Sequence, residues 1–143
     1  MVLKGLRLLI VDDDEDTREG MACLFEQAGA AVETAATVDA AVRLLSITRT
    51  DVVLADIGLR GRDGYALIGA VRDHAEPHVR AVLAIAVTGH AGPEHRARAL
   101  SGGYDEHIVK PVDPDRLLGL VSRIANVRAA ARVGQAGPSP RTA

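Results

Sequence analysis

Short apolar runs alternate with stretches of helical periodicity along this chain, and this alternation limits the fold more than any other feature. Runs rich in Val, Ile, Leu and Ala lie at residues 6–11, 31–35, 52–55, 81–87 and 107–109. Such runs, bounded by polar or glycine residues, are typical of strands buried on both faces. Because a helical stretch follows each strand, the predicted fold is α/β, a (βα)5 doubly wound parallel five-stranded sheet.

Helix signals and changes in composition predict the later helices and loops and the end of the domain. Residues 94–101 predict a poorly amphipathic helix, and residues 75–80, which contain Pro77, predict a loop. The last helix follows Asp113 as its N-cap, and its periodicity fades by about residue 131. Residues 134–143, with two prolines and small polar residues, predict a disordered tail. The predicted division is one domain at 1–127, with the end of the last helix and the tail at 128–143.

The composition is that of a globular domain, with 48% hydrophobic and 25% charged residues in a chain of 143. A net charge of −2 gives no electrostatic reason to expect binding to nucleic acid or to an anionic membrane. The single cysteine, Cys23, excludes an internal disulfide and fits a reducing compartment. No apolar run reaches membrane-spanning length and the first residues lack a signal-peptide pattern, so the expected location is the cytoplasm.

Polar residues stand at the points where four of the predicted strands end. The Asp12–Asp13 pair follows the first strand, Asp56 ends the third, Thr88 ends the fourth and Lys110 follows the fifth. The carboxyl ends of parallel strands meet at one edge of a sheet, so these side chains are expected to converge there. Ligands and chemistry collect at this edge in open α/β sheets, which makes it the predicted site.

The residue types at this edge suit the transfer of a phosphoryl group. Carboxylate oxygens are the ligands that Mg²⁺ prefers. Lys110 is one of two lysines in the chain, and a compact ammonium group pairs well with a carboxylate or a phosphate. With the Thr88 hydroxyl nearby, Asp56 is predicted to act as a nucleophile on phosphorus.

In these motifs the sequence resembles the receiver domain of two-component response regulators, the chemotaxis-regulator-like family. The matching motifs keep the family's order and spacing over about residues 5–127. They are Leu-Ile-Val-Asp-Asp at 9–13, Asp-Val-Val-Leu-Ala-Asp at 51–56, Gly-Arg-Asp-Gly at 61–64, Val-Thr-Gly at 87–89 and Ile-Val-Lys-Pro at 108–111. The resemblance implies a flavodoxin-like sheet with the strand order 2-1-3-4-5.

The resemblance also implies a role for each site residue. Asp56 would accept a phosphoryl group from a phosphohistidine, and Thr88 and Lys110 would bind the phosphoryl oxygens. Mg²⁺ would be the cofactor, and its predicted ligands are Asp12, Asp13, Asp56 and the backbone carbonyl of Gly58. Asp12 would act on the metal largely through water, and Thr88 and His107 are the predicted switch residues.

Two positions depart from the family pattern, and a third feature indicates a subgroup. Arg60 stands where the family usually has proline, which predicts a looser loop after Asp56. His107, three residues before the lysine, stands where Tyr or Phe is common. The nearby aromatic residue is Tyr104, and residues 102–113 are most similar to receivers attached to hybrid sensor kinases. The bond before Pro111 resembles the cis peptide of the family.

Two alternatives remain beside this interpretation. A haloacid dehalogenase-like phosphatase also uses an aspartate nucleophile, but it carries Asp-x-Asp-x-Thr after its first strand. This chain has Asp13-x-Glu15-x-Thr17, with glutamate at the middle acid. A degenerate receiver acting only as a binding module would lack part of the site, whereas this chain keeps the full set of residues.

The predicted function is that of a phosphoacceptor in a two-component His–Asp phosphorelay, a signalling domain with at most slow self-dephosphorylation. Its expected partners are a histidine kinase or histidine phosphotransfer protein and a downstream protein. The downstream protein would bind through the 94–101 helix, the 106–109 strand and the 113–127 helix. Neither direct nucleic-acid binding, nor membrane insertion, nor a following effector domain is expected, and a homodimer is left open. The second interpretation is a receiver cut from a hybrid kinase, or one that passes its phosphoryl group to a phosphotransfer protein.

Overall fold

Strands and helices alternate along the computed structural model, which describes residues 3–57, 64–89 and 92–136. In chain order the elements are β1 (Arg7–Val11), α1 (Glu15–Gln27), β2 (Ala31–Ala35), α2 (Val38–Ile47), β3 (Val52–Asp56), α3 (Gly64–Arg72), α4 (Pro77–Arg80), β4 (Leu83–Thr88), α5 (Pro93–Gly102), β5 (Glu106–Val109) and α6 (Pro114–Ala136). The strand positions agree with the apolar runs of the sequence to within two residues.

The five strands form one parallel sheet in the order β2-β1-β3-β4-β5. In the register, Leu8 pairs with Val52 and Ala86 pairs with His107. The order confirms the predicted doubly wound, flavodoxin-like fold. It also places β1, β3, β4 and β5 side by side, so the residues at their carboxyl ends share one edge.

The core explains why these runs are so apolar. Strands β1, β3 and β4 are central and almost wholly buried, whereas the edge strand β5 is half-buried along its length. Phe25 of α1 is fully buried, as are Leu67 and Ile68 of α3. Strands covered on both faces have no solvent face to carry polar residues, which is the physical basis of the continuous runs.

Side-chain caps begin several of the helices. Thr37 accepts a hydrogen bond from the Ala40 amide at 3.1 Å and caps α2. Asp113 accepts one from the Asp115 amide at 3.2 Å at the start of α6, as predicted. Each cap satisfies an amide that has no partner within its own helix.

The prediction of a loop at residues 75–80 is wrong from Pro77 onward. Pro77–Arg80 forms one turn of helix, α4, with proline in its first turn. The fixed φ of proline suits this position, and its missing N–H would have no helical partner there. Proline therefore begins this short helix and does not interrupt it.

One arginine at the end of α3 binds two other connections, the one between α4 and β4 and the one between α5 and β5. Arg72 donates from Nε to the Gly103 carbonyl at 2.9 Å and from Nη1 to the Arg80 and Val82 carbonyls at 2.7 and 2.6 Å. Its Nη2 pairs with Asp105 at 2.9 Å. The planar guanidinium can make several such bonds at once, so it holds the segment that leads into β5 against the end of α3.

The chain divides into two compact units, residues 1–112 and residues 113–143. The second unit contains α6, in which Leu117 and Val121 are buried. This helix continues to Ala136, so the predicted tail does not begin at residue 134, and residues 137–143 lie outside the described part of the chain. The domain boundary at residue 127 stays a prediction. None of the helices described is long and apolar enough to cross a membrane.

Candidate functional site

The carboxyl ends of four neighbouring strands bring the predicted site residues together. Backbone hydrogen bonds continue past the strand ends and fix the residues there. The Asp12 amide donates to the Ala35 carbonyl at 3.1 Å, and the Lys110 amide donates to the Thr88 carbonyl at 2.7 Å. The site residues are therefore held by the sheet and not by long loops.

Three carboxylates form a cluster at this edge. Asp12, Asp13 and Asp56 each offer one oxygen, and these oxygens all lie within 4.8 Å of one another. Asp12 is buried, with 3% of its surface exposed, and Asp56 is half-buried. Hard divalent cations bind oxygen ligands in this number while keeping several waters, so the donor set fits Mg²⁺.

The electrostatics of Asp12 are those of an acid in a crowded anionic site. Burial raises the pKa of its carboxyl, and the charges of Asp56 and Asp13 raise it further. Two groups oppose this change: the Asp14 amide, which donates to Asp12 Oδ1 at 2.9 Å, and the Lys110 ammonium, which acts through its charge. The site holds more negative charge than its own lysine neutralises, and a bound cation would offset the excess.

Lys110 supplies the positive charge of the site. Its Nζ lies 3.2 Å from Asp56 Oδ2, and the Asp56 side chain is 16% exposed. The Lys110–Pro111 peptide bond is cis, as the resemblance implied. Thr88 completes the group at the end of β4 and is buried, with 3% of its surface exposed.

The acidic residues that follow β1 have two different roles. Asp14 is the N-cap of α1, because its Oδ2 accepts hydrogen bonds from the Thr17 amide and the Thr17 hydroxyl at 2.9 and 2.5 Å. These bonds lower the pKa of Asp14. Asp12 and Asp13 remain with the carboxylate cluster. Gly58, predicted as a metal ligand, and Arg60 lie outside the described residues.

His107 occupies the middle of β5 with one ring nitrogen enclosed. Its Nε2 is buried and has no hydrogen-bond partner among the residues that the structure describes. Burial lowers the pKa of His107, and the nearby Arg96 and His95 of α5 lower it further. Glu106 acts in the opposite direction and also pairs with Arg96 at 3.1 Å. The histidine is therefore held mainly in its neutral form at neutral pH.

The lowered pKa of His107 predicts a pH dependence of stability. The unfolded chain binds a proton at about pH 6.5, whereas the folded protein resists it, so the free energy of unfolding should fall as the pH falls through about 6.5. His107→Phe should remove this component and flatten the profile between about pH 7.5 and 5.5. Urea unfolding across that range measures it, with the same replacement at His78 as the control. An unchanged profile in His107→Phe would contradict the prediction.

A family model described as the response regulator receiver domain matches residues 8–122. The chain belongs to this family. Receiver domains are signalling modules of two-component systems, and the match favours the receiver over the phosphatase alternative.

Individual relatives align with most of this chain. An uncharacterised 14.6 kDa protein from the sodA1 3′ region of Leptolyngbya boryana is 36% identical over 121 residues, which cover 85% of this chain and 91% of the relative. The phosphate regulon transcriptional regulatory protein PhoB of Escherichia coli is 30% identical over 118 residues, 82% of this chain and 51% of PhoB. The chain spans between about a quarter and a half of the length of several curated regulators that it matches.

A solved structure agrees with the fold. The CheY-like response regulator receiver domain protein of Methanospirillum hungatei is 28% identical, with a TM-score of 0.79. The alignment covers 88% of this chain and 98% of that protein.

Two contacts of the receiver site were not predicted from the sequence. Arg18 of α1 donates from Nη1 to the Asp12 carbonyl at 2.8 Å. A basic residue two positions after an acidic run is a weak sign of such a bond. The Tyr104 hydroxyl donates to the Gly64 carbonyl at 2.6 Å, and no local pattern signals it because the two residues are 40 apart.

Proposed function

We propose that this receiver accepts a phosphoryl group from a phosphohistidine onto Asp56, with Mg²⁺ as its cofactor, in a His–Asp phosphorelay. The observation that supports this proposal most directly is the setting of the Asp56 carboxylate. It lies among two further carboxylates within 4.8 Å and beside the Lys110 ammonium at 3.2 Å. A nucleophile, a cation site and a fixed positive charge are the parts that phosphoryl transfer needs.

In the proposed reaction an Asp56 oxygen attacks phosphorus in line. A bond forms between that oxygen and phosphorus while the bond from phosphorus to the donor's imidazole nitrogen breaks, and the imidazole leaves with the electron pair. Lys110 Nζ and the Thr88 hydroxyl bind phosphoryl oxygens and hold them as charge develops. The hydrogen bond from the Lys110 amide to the Thr88 carbonyl holds these two residues beside each other.

The carboxylate cluster is the part of the proposal that calls for a metal. Asp13, Asp56 and the Gly58 carbonyl would hold Mg²⁺ directly, and Asp12 would hold it largely through water. The bound ion would neutralise charge on the phosphoryl oxygens. Without such a cation, an incoming anionic phosphoryl group would meet three carboxylates and one ammonium, which is unfavourable.

The proposed output is a change in partner binding at the segments predicted from the sequence, the 94–101 helix, the 106–109 strand and the 113–127 helix. Helix α5 suits this role because Ala99 is its buried residue and Leu100 is 36% exposed. Elements with few buried contacts change conformation at low cost. Thr88 and His107 remain the proposed switch residues. The histidine kinase or phosphotransfer partner, the cytoplasmic location, slow self-dephosphorylation and a homodimer also remain proposals.

The proposal is tested by intact-mass measurement of the protein after incubation with acetyl phosphate, with and without Mg²⁺. We expect the mass of one phosphoryl group to be added only with Mg²⁺, and peptide mapping to place it on Asp56. A folded protein that gains nothing would favour the degenerate binding module. Rapid release of phosphate from several unrelated phosphate esters would favour the phosphatase.

A further inference from the structure

Tyr104 connects the segment that follows Asp56 with the junction between α5 and β5. Its side chain is almost fully buried, and its hydroxyl donates to the Gly64 carbonyl at 2.6 Å. Gly64 is the first residue of α3, so it stands at the far end of the segment that begins after the phosphoacceptor. The hydrogen bond therefore joins two parts of the fold that are distant in sequence.

The Gly64 end of this connection is closely tied to the residue next to Asp56. The Gly64 amide donates to the Ile57 carbonyl at 3.3 Å, and the Ile57 amide donates to the Val87 carbonyl at 3.1 Å. A Cβ atom on Gly64 would lie 2.5 Å from Ile57 Cα, which shows how closely the two backbones pack. Any shift of the backbone at Ile57 must therefore move Gly64 and its carbonyl.

The Tyr104 end is equally well fixed to α5 and β5. The Tyr104 amide donates to the Ala99 carbonyl of α5 at 3.1 Å. The next residue, Asp105, donates its amide to the Ala84 carbonyl at 2.8 Å and accepts the Ala84 amide through Oδ2 at 2.8 Å. Asp105 Oδ2 also pairs with Arg72. The tyrosine is thus part of the backbone framework that begins β5.

A hydrogen bond between two buried groups resists separation, because water cannot replace either partner. A displacement of Gly64 has two outcomes: the bond breaks at a cost, or Tyr104 and the α5–β5 junction move with it. The second outcome passes movement away from the site.

We propose that Tyr104 is a positioning residue, and that its hydroxyl couples the phosphorylation of Asp56 to the conformation of the α5–β5 junction. This inference rests on the proposed function. His107 stands at the position where the family commonly has an aromatic residue, and Tyr104 is a buried tyrosine that reaches from the α5–β5 junction to the first residue of α3. The coupling passes through Ile57, Gly64 and Tyr104, in that order.

The test is Tyr104→Phe, which keeps the ring and removes the hydroxyl. Tyr65→Phe is the matched control, since it makes the same change on α3 and keeps a ring beneath the Arg98 guanidinium, 4.2 Å from its centroid. Hydrogen–deuterium exchange is measured on peptides covering 64–72 and 92–109, with and without Mg²⁺ and beryllium fluoride as a phosphoryl mimic. Phosphorylation by acetyl phosphate is measured in parallel by intact mass.

In the wild type and in Tyr65→Phe, the mimic should change exchange in both peptides. In Tyr104→Phe, Asp56 should still gain its phosphoryl group, but the response of peptide 92–109 should fall about fivefold, the lower end of common allosteric couplings. A merely structural role would lower the melting temperature and leave that response unchanged. An equal response in Tyr104→Phe and wild type overturns the coupling while leaving the phosphoacceptor intact.

Failure of the proposed function would look different, because the wild type itself would gain no phosphoryl group. If Tyr104→Phe does not fold, as judged by circular dichroism, a titration of the wild type decides the matter. During this titration the NMR signals of the Tyr104 ring should shift as the mimic binds, and ring signals that stay unchanged at saturation would overturn the coupling.

Discussion

Asp56→Asn is expected to abolish phosphoryl acceptance, so that intact mass shows no added phosphoryl group with acetyl phosphate and Mg²⁺. An amide oxygen is a much weaker nucleophile than a carboxylate, and asparagine also removes one of the three anionic oxygens of the cluster. The fold should survive, because asparagine has nearly the same size and its oxygen can still accept a hydrogen bond from Lys110.

Asp51→Asn is the matched control for this prediction. Asp51 directly precedes β3, and its Oδ2 accepts the Arg7 amide at 2.9 Å, so it places the same change at the opposite end of the same strand. This variant should be phosphorylated like the wild type. A Mg²⁺-dependent phosphoryl group on Asp56→Asn would move the acceptor to another residue. As a second readout, the pKa of Asp12 should fall in Asp56→Asn, because one of the charges that raise it is gone.

Gly64→Ala is expected to have the largest effect on stability. The added Cβ would lie 2.5 Å from Ile57 Cα and 2.6 Å from Ile57 Cγ2, and the first of these contacts is with backbone that cannot rotate away. Overpacking of this kind costs about 1–3 kcal/mol, and a clash with backbone belongs at or above the upper end. Urea unfolding monitored by circular dichroism measures the loss. The rate of phosphorylation should fall as well, because Ile57 follows Asp56 directly.

Gly69→Ala in the same helix separates the clash from the general effect of replacing glycine. A Cβ atom at Gly69 would meet nothing within 4 Å. Alanine favours a helix interior over glycine by about 0.5–1 kcal/mol, so this variant should be slightly more stable than the wild type. Equal stabilities for the two variants would contradict the packing of Gly64 on Ile57.

The fold could be predicted because its signals are local and repeated. A strand buried on both faces leaves a continuous apolar run, and five such runs separated by helical stretches leave few topologies besides a parallel sheet. The errors in the predicted secondary structure lie where two local sequence signals conflicted. Pro77 marked a loop in the sequence, yet it begins the single helical turn of α4. The last helix runs to Ala136, three residues into the stretch whose composition predicted a tail.

By itself, the sequence determined which residues meet at the site, since Asp12, Asp56, Thr88 and Lys110 each stand at the carboxyl end of a strand and parallel strands present those ends together. Only the tertiary structure decided how the groups are arranged: the 3.2 Å pair of Lys110 with Asp56, the burial that raises the pKa of Asp12, and the Tyr104 bond to Gly64. The physical reason is the distance along the chain over which each kind of interaction acts. Periodicity and capping act between near neighbours in the chain, whereas these contacts join residues that only the packed sheet and helices bring together.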